Sequence, residues 1–186
     1  YEPLYTVQDA MNAVALLAPI DYNQTIQLCE GIELRFTDVG HLLGSSCIEV
    51  WITEDGVSKK IVFSGDVGNI DQPIIKDPAY TENADYIVME STYGNRVHTQ
   101  EKPDYLGDFT RILKETFDRK GNVVIPSFAV GRTQEMLYFI REIKEKGLMS
   151  EYPDFEVYLD SPLAIEATKV FTKNMRECFD EEALAL

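Results

Sequence analysis

The chain has 186 residues, 45% hydrophobic and 26% charged: enough apolar material for a real core, and too ordinary a mixture for a disordered or fibrous protein. Its formal net charge of −15 repels polyanions at long range, so nucleic-acid contact must rest on locally placed cations or bound metal. No apolar run approaches the roughly 20 residues needed to span a bilayer.

Cys29, Cys47 and Cys178 are an odd count without CxxC spacing, which argues for a reducing, cytoplasmic setting and for small buried apolar roles rather than zinc ligation. The chain starts at Tyr1 without an initiator Met, and residues 181–186 run off in helical composition, so it reads as a piece of a longer protein.

In chain order, Thr6-Val7-Gln8-Asp9 resembles a capping box and opens a helix through residues 10–18, which Pro19 stops. Met11, Val14, Ala15 and Ala18 fall on one face of it, predicted to pack. Residues 21–28 read as an edge strand and 32–37 as an alternating, half-buried one. Residues 47–52 and 59–63 form a tight antiparallel pair across Glu54-Asp55-Gly56. A loop over 69–83 leads to a short buried strand at 85–89.

Beyond Gly94 the pattern changes. Helices are predicted over 103–120, 132–146 and 162–174, separated by strands over 122–126 and 155–159, an alternation that argues for a parallel, Rossmann-like layer. A boundary near residues 97–103 divides the chain into 1–98 and 99–186.

Three polar positions stand at or just past strand ends. His41 sits in the glycine-flanked turn Gly40-His41-Leu42-Leu43-Gly44. Asp66 sits in Phe63-Ser64-Gly65-Asp66-Val67-Gly68, and Glu90 opens Glu90-Ser91-Thr92-Tyr93-Gly94. Each has a plain structural reading: a satisfied histidine, a carboxylate accepting turn N–H groups, and an acid bonded to Ser91 or Thr92. Each is also a type that binds metal, or orients a group that does. Further on, Ser127, Gly131 and Arg132 precede a helix whose N-terminal dipole and Arg132 guanidinium suit a phosphate. His98, in the loop after Gly94, reads as solvated.

These motifs, with Pro126-Ser127-Phe128-Ala129-Val130-Gly131-Arg132-Thr133-Gln134-Glu135 and Tyr158-Leu159-Asp160-Ser161-Pro162-Leu163-Ala164, occur in an order that resembles the β-CASP nucleases of the metallo-β-lactamase fold, a group that includes ribonuclease J and the cleavage-and-polyadenylation endonuclease. The resemblance implies an α/β fold in which the second portion of an αββα sandwich precedes the start of a Rossmann-like β-CASP domain. It also implies metal-assisted hydrolysis of RNA, with DNA as the alternative substrate, and two Zn2+ ions in the full-length protein. His41 would then be a ligand to one zinc, Asp66 the carboxylate bridging both, and Glu90 the acid that orients a downstream histidine. The family's His-x-His-x-Asp-His signature does not occur in this chain. His41 and Asp66 are too few to hold two metals, so the chain alone is expected to bind zinc weakly and to lack nuclease activity. Two other readings are a metallo-β-lactamase-fold hydrolase of small thioesters or lactams, which leaves the sequence after Val97 unexplained, and a non-catalytic scaffold subunit of an RNA-processing complex.

Overall fold

A computed structural model describes residues 3–97 and 103–185. Its first half is a five-stranded sheet in the order β1 (Ile26–Cys29), β2 (Ile32–Asp38), β3 (Ser46–Glu54), β4 (Val57–Phe63) and β5 (Tyr86–Val88). The first four strands are antiparallel, and β5 joins parallel to β4. The alternation in residues 32–63 dictates this register, because a one-residue slip would turn every apolar side chain to the wrong face. Leu34, Val50 and Ile61 line up across three strands, as do Phe36, Ile48 and Phe63.

The opposite face carries a buried charge cluster. Glu49 is wholly inaccessible and receives a bidentate pair from Arg35, both bonds 2.9 Å, with Lys60 at 2.6 Å and the Thr37 hydroxyl at 2.7 Å. Trp51 lies beneath both cations, 5.4 Å from Arg35 and 5.1 Å from Lys60. Val39, Cys47 and Val62 form the small apolar cluster of this half.

The second half is helical: α2 (Tyr105–Asp118), α3 (Arg132–Glu145), α4 (Pro162–Lys173), α5 (Met175–Cys178) and α6 (Glu181–Ala185) follow α1 (Val7–Val14) in chain order. Asp104 and Ser161 cap α2 and α4 through their side chains. Leu113, Ile143 and Met149 form a second core with Phe109, Phe117 and Phe155 around it. The halves meet where an isolated bridge pairs Ile75 with Phe179 and Asp180 N–H donates to the Ile74 carbonyl.

Several sequence expectations are corrected. The Thr6 capping box is present, but α1 ends at Val14 and buries nothing; Met11 and Val14 are exposed. β5 is an exposed edge rather than a buried strand. Residues 122–126 and 155–159 have no ladder partner among the described residues, so neither is a strand here. Cys29 is exposed, while Cys47 and Cys178 are buried as expected. His98 lies outside the described residues.

The accessible surface is 14182 Å², whereas a compact monomer of this mass exposes about 9,000 Å². Large apolar side chains on α1, on β5 and around residues 124–130 are among those exposed.

Candidate functional site

Strand direction assembles the site. β2 and β4 are both antiparallel to β3, so they run the same way, and β5 is parallel to β4. The C-terminal ends of β2, β4 and β5 therefore share one edge of the sheet. His41 follows β2, Asp66 follows β4, and Glu90 follows β5.

Hydrogen bonds lock the three turns together. Gly68 N–H donates to the Val39 carbonyl at 2.9 Å, joining the Asp66 turn to the His41 turn. The approach is so close that a Cβ on Gly68 would overlap the Gly40 carbonyl and stand 2.7 Å from the His41 nitrogen. Val67 N–H donates to Glu90 Oε1 at 2.7 Å, and Glu90 N–H donates to Ser64 Oγ at 3.0 Å. Within the His41 turn, Ser45 Oγ accepts from the backbone N–H of both His41 and Leu42. Ser45 and Ser64 were legible in the motifs only as neighbours of functional residues; their holding role appears once the turns are seen to touch.

The side chains differ in how they are committed. Glu90 accepts from Val67 N–H and from the Thr92 hydroxyl at 2.8 Å, which together hold its carboxyl below the usual glutamate range. In a carboxyl-carbon NMR titration, Glu90 is expected to lose its proton at lower pH than an ordinary glutamate, and Thr92→Val to move that midpoint upward. Ordinary titration of Glu90 in the parent chain would contradict the geometry. No hydrogen bond to the Asp66 carboxylate or the His41 ring is present among the described residues, so neither takes up its structural alternative. Asp66 is exposed and His41 half-buried.

An imidazole nitrogen and a carboxylate oxygen are both zinc donors, so this pair fits part of a zinc site. Among the described residues no group of three or more His, Cys, Asp or Glu side chains is placed to hold a metal, and two donors fall short of a closed coordination shell.

The turn at 127–131 closes on the same edge. Gly131, at φ 85°, has Leu42 of the His41 turn packed against it; a Cβ there would lie 2.5 Å from Leu42 Cδ2. The Gly131 N–H is taken up by Gln134 Oε1 at 2.7 Å, and the Arg132 guanidinium pairs with Glu135 at 2.8 Å. Burial pushes the Glu135 carboxyl up, and Arg132 opposes that shift. For an anion there remains the exposed Arg132 head, and Ser127 is exposed as well. Gln134 was not singled out from sequence. Its Nε2 donates to the Ala129 carbonyl and to Thr168 Oγ1, and these partners are nonlocal or in irregular backbone.

The mixed α/β chain thus gathers a histidine, an aspartate and a glutamate at one edge of its sheet, ahead of the capped helices α2 and α4. Residues 133–185 match the Beta-Casp domain family. The chain is 33% identical to a ribonuclease of Thermus thermophilus over 99% of its own length and 40% of that protein's. It is 30% identical to an RNase J-like protein of Methanocaldococcus jannaschii, over 90% of the chain and 38% of the relative. Transcription termination factor FttA of Methanosarcina mazei is 36% identical over 82% of the chain and 23% of its own length. By these matches the chain belongs to the β-CASP family, and it spans two fifths or less of these relatives. No helix among the described residues is long and apolar enough to cross a membrane.

Proposed function

We propose that the chain supplies one side of a zinc-dependent RNA-hydrolysing site: His41 and Asp66 as metal ligands, Glu90 as the acid that orients a partner group, and Ser127, Gly131 and Arg132 as the phosphate-side turn. The observation that carries this reading is the convergence of three strand-end turns and the 127–131 turn on one sheet edge, held by the Gly68, Glu90 and Leu42 contacts. Relatives named as ribonucleases support the substrate class.

In this reading bound zinc would supply a nucleophilic hydroxide at neutral pH and offset charge at phosphorus. The chain's own residues orient and hold. Glu90, fixed by Val67 and Thr92, keeps lone pairs for a further donor. Neither Asp66 carboxylate oxygen has a hydrogen-bond partner among the described residues, and Arg132 can exchange its contact with Glu135 for a phosphate oxygen. The separate apolar clusters at Val39–Cys47–Val62 and Leu113–Ile143–Met149 support a division between residues 1–98 and 99–186. The site then faces the junction of the two parts.

With two ligands, the chain by itself binds zinc weakly and does not cleave RNA; tight stoichiometric zinc, or metal-dependent cleavage by the pure chain, would contradict this. Short single-stranded RNA is expected to bind weakly and with strong salt sensitivity, measured by fluorescence anisotropy. Arg132→Ala should lower affinity several-fold and reduce the salt slope by about one. Unchanged affinity and slope would remove Arg132 from the phosphate side.

A further inference from the structure

Phe128 is 86% exposed, yet its backbone carbonyl is held by a buried side chain. Thr133 Oγ1 donates to the Phe128 carbonyl at 2.7 Å, and Gln134 Nε2 donates to the Ala129 carbonyl at 3.1 Å. Gln134 Oε1 accepts from Gly131 N–H at 2.7 Å, and its second amide hydrogen goes to Thr168 Oγ1 at 2.9 Å. Thr133 and Gln134 are both buried. Three of these bonds fix the short turn that leads into α3, the fourth ties Gln134 to α4, and the turn's far side rests on Leu42, next to His41. The ring is held out into solvent by geometry, not left there by a loose loop.

Two other exposed aromatics, Tyr93 and Tyr158, have partners. Arg96 lies 5.1 Å above the Tyr93 ring, and the Tyr158 hydroxyl bonds to Glu156. Among the described residues no ring or cation covers Phe128.

We propose that Phe128 is a stacking platform for an unpaired nucleobase, placed beside the His41 turn and four residues before Arg132. This rests on the RNA reading of the site and adds the subsite that grips a base rather than the phosphate. The chain's charge favours that division of labour. At net −15, long-range pull on phosphates is poor, whereas stacking is short-ranged, needs only a π face and tolerates any base. A single cation at Arg132 then suffices to set the backbone.

The test uses the full chain and two single-stranded RNA oligomers of equal length, one natural with a 2-aminopurine reporter and one with abasic residues. The natural oligomer is expected to bind about ten-fold tighter and to show quenched reporter fluorescence. Phe128→Ala should abolish both effects, and Phe128→Trp should restore them; at this exposure neither substitution threatens folding. Equal binding of the two oligomers, or a base preference that survives Phe128→Ala, overturns the stacking subsite while leaving the RNA reading intact. Absence of binding to either oligomer overturns the RNA reading itself and the subsite with it. A change in self-association by light scattering, with base preference unaltered, assigns Phe128 to a protein contact and also overturns the proposal.

Discussion

Replacing Glu49 with alanine is expected to destabilise the sheet by about 3–5 kcal/mol, the usual cost of removing one partner from a buried ion cluster. That is a large share of a typical domain's stability. Glu49 has no solvent contact and sits between Arg35, Lys60 and Thr37. Burial by itself raises its carboxyl, but the bonds from Arg35, Lys60 and Thr37 outweigh it and hold the group at about 2, against an ordinary 4.5. A folded value below the unfolded one stabilises fully above the unfolded value. That stabilisation, about 3 kcal/mol for this shift, should be lost as pH falls from 4.5 towards 2. Urea midpoints at neutral and acid pH measure both effects. Glu49→Ala should lower the neutral midpoint and flatten the acid dependence; a midpoint unchanged at neutral pH would contradict the cluster's role. Replacing Arg35, Lys60 and Glu49 together with apolar residues should be far milder, because no charge is then left unpaired.

The second large effect is expected at Gly68. A methyl group there would occupy the space of the Gly40 carbonyl and press on the His41 nitrogen. Both neighbours are backbone and cannot rotate away, so Gly68→Ala should cost about 3 kcal/mol, the upper end for overpacking. It should also break the bond from Gly68 to Val39. The Asp66 and His41 turns then separate, while the β2–β3–β4 ladder, whose pairing lies elsewhere, persists. Amide exchange measures this directly. Protection should fall in residues 38–46 and 64–68 and remain in the strands. Uniform loss along the sheet, or no loss, would show that the contact does not hold the site.

The sequence was most informative where structure is local. Alternation at 32–37, 47–52 and 59–63 set the faces of β2, β3 and β4, and the Thr6 capping box marked the start of α1. It was least informative where a segment depends on a distant neighbour. Residues 122–126 and 155–159 have strand composition, but a strand exists only against a ladder partner, and none lies beside them among the described residues. The apolar stripe of α1 likewise signals that a face can be covered, not that it is covered within these residues. The same applies to β5, whose Ile87 and Val88 are exposed.

The candidate site divides similarly. His41, Asp66 and Glu90 were visible because each follows a strand, and their meeting follows from strand direction once the ladder is known. The clamp of Thr133 and Gln134 on the 128–131 turn was not visible, since its partners include Thr168, 34 residues from Gln134. Glu49 could have been found from the alternation, which sets Arg35 directly across from it in the β2–β3 register.

The most direct test of the site is an NMR titration of the chain with zinc, following the His41 ring and the Asp66 carboxylate. The expected result is weak binding in which both groups shift together along one isotherm, with Asp66→Ala abolishing the His41 response. Independent responses of the two groups, a response centred on Cys29 or another residue, or stoichiometric tight binding would contradict a shared, incomplete metal site.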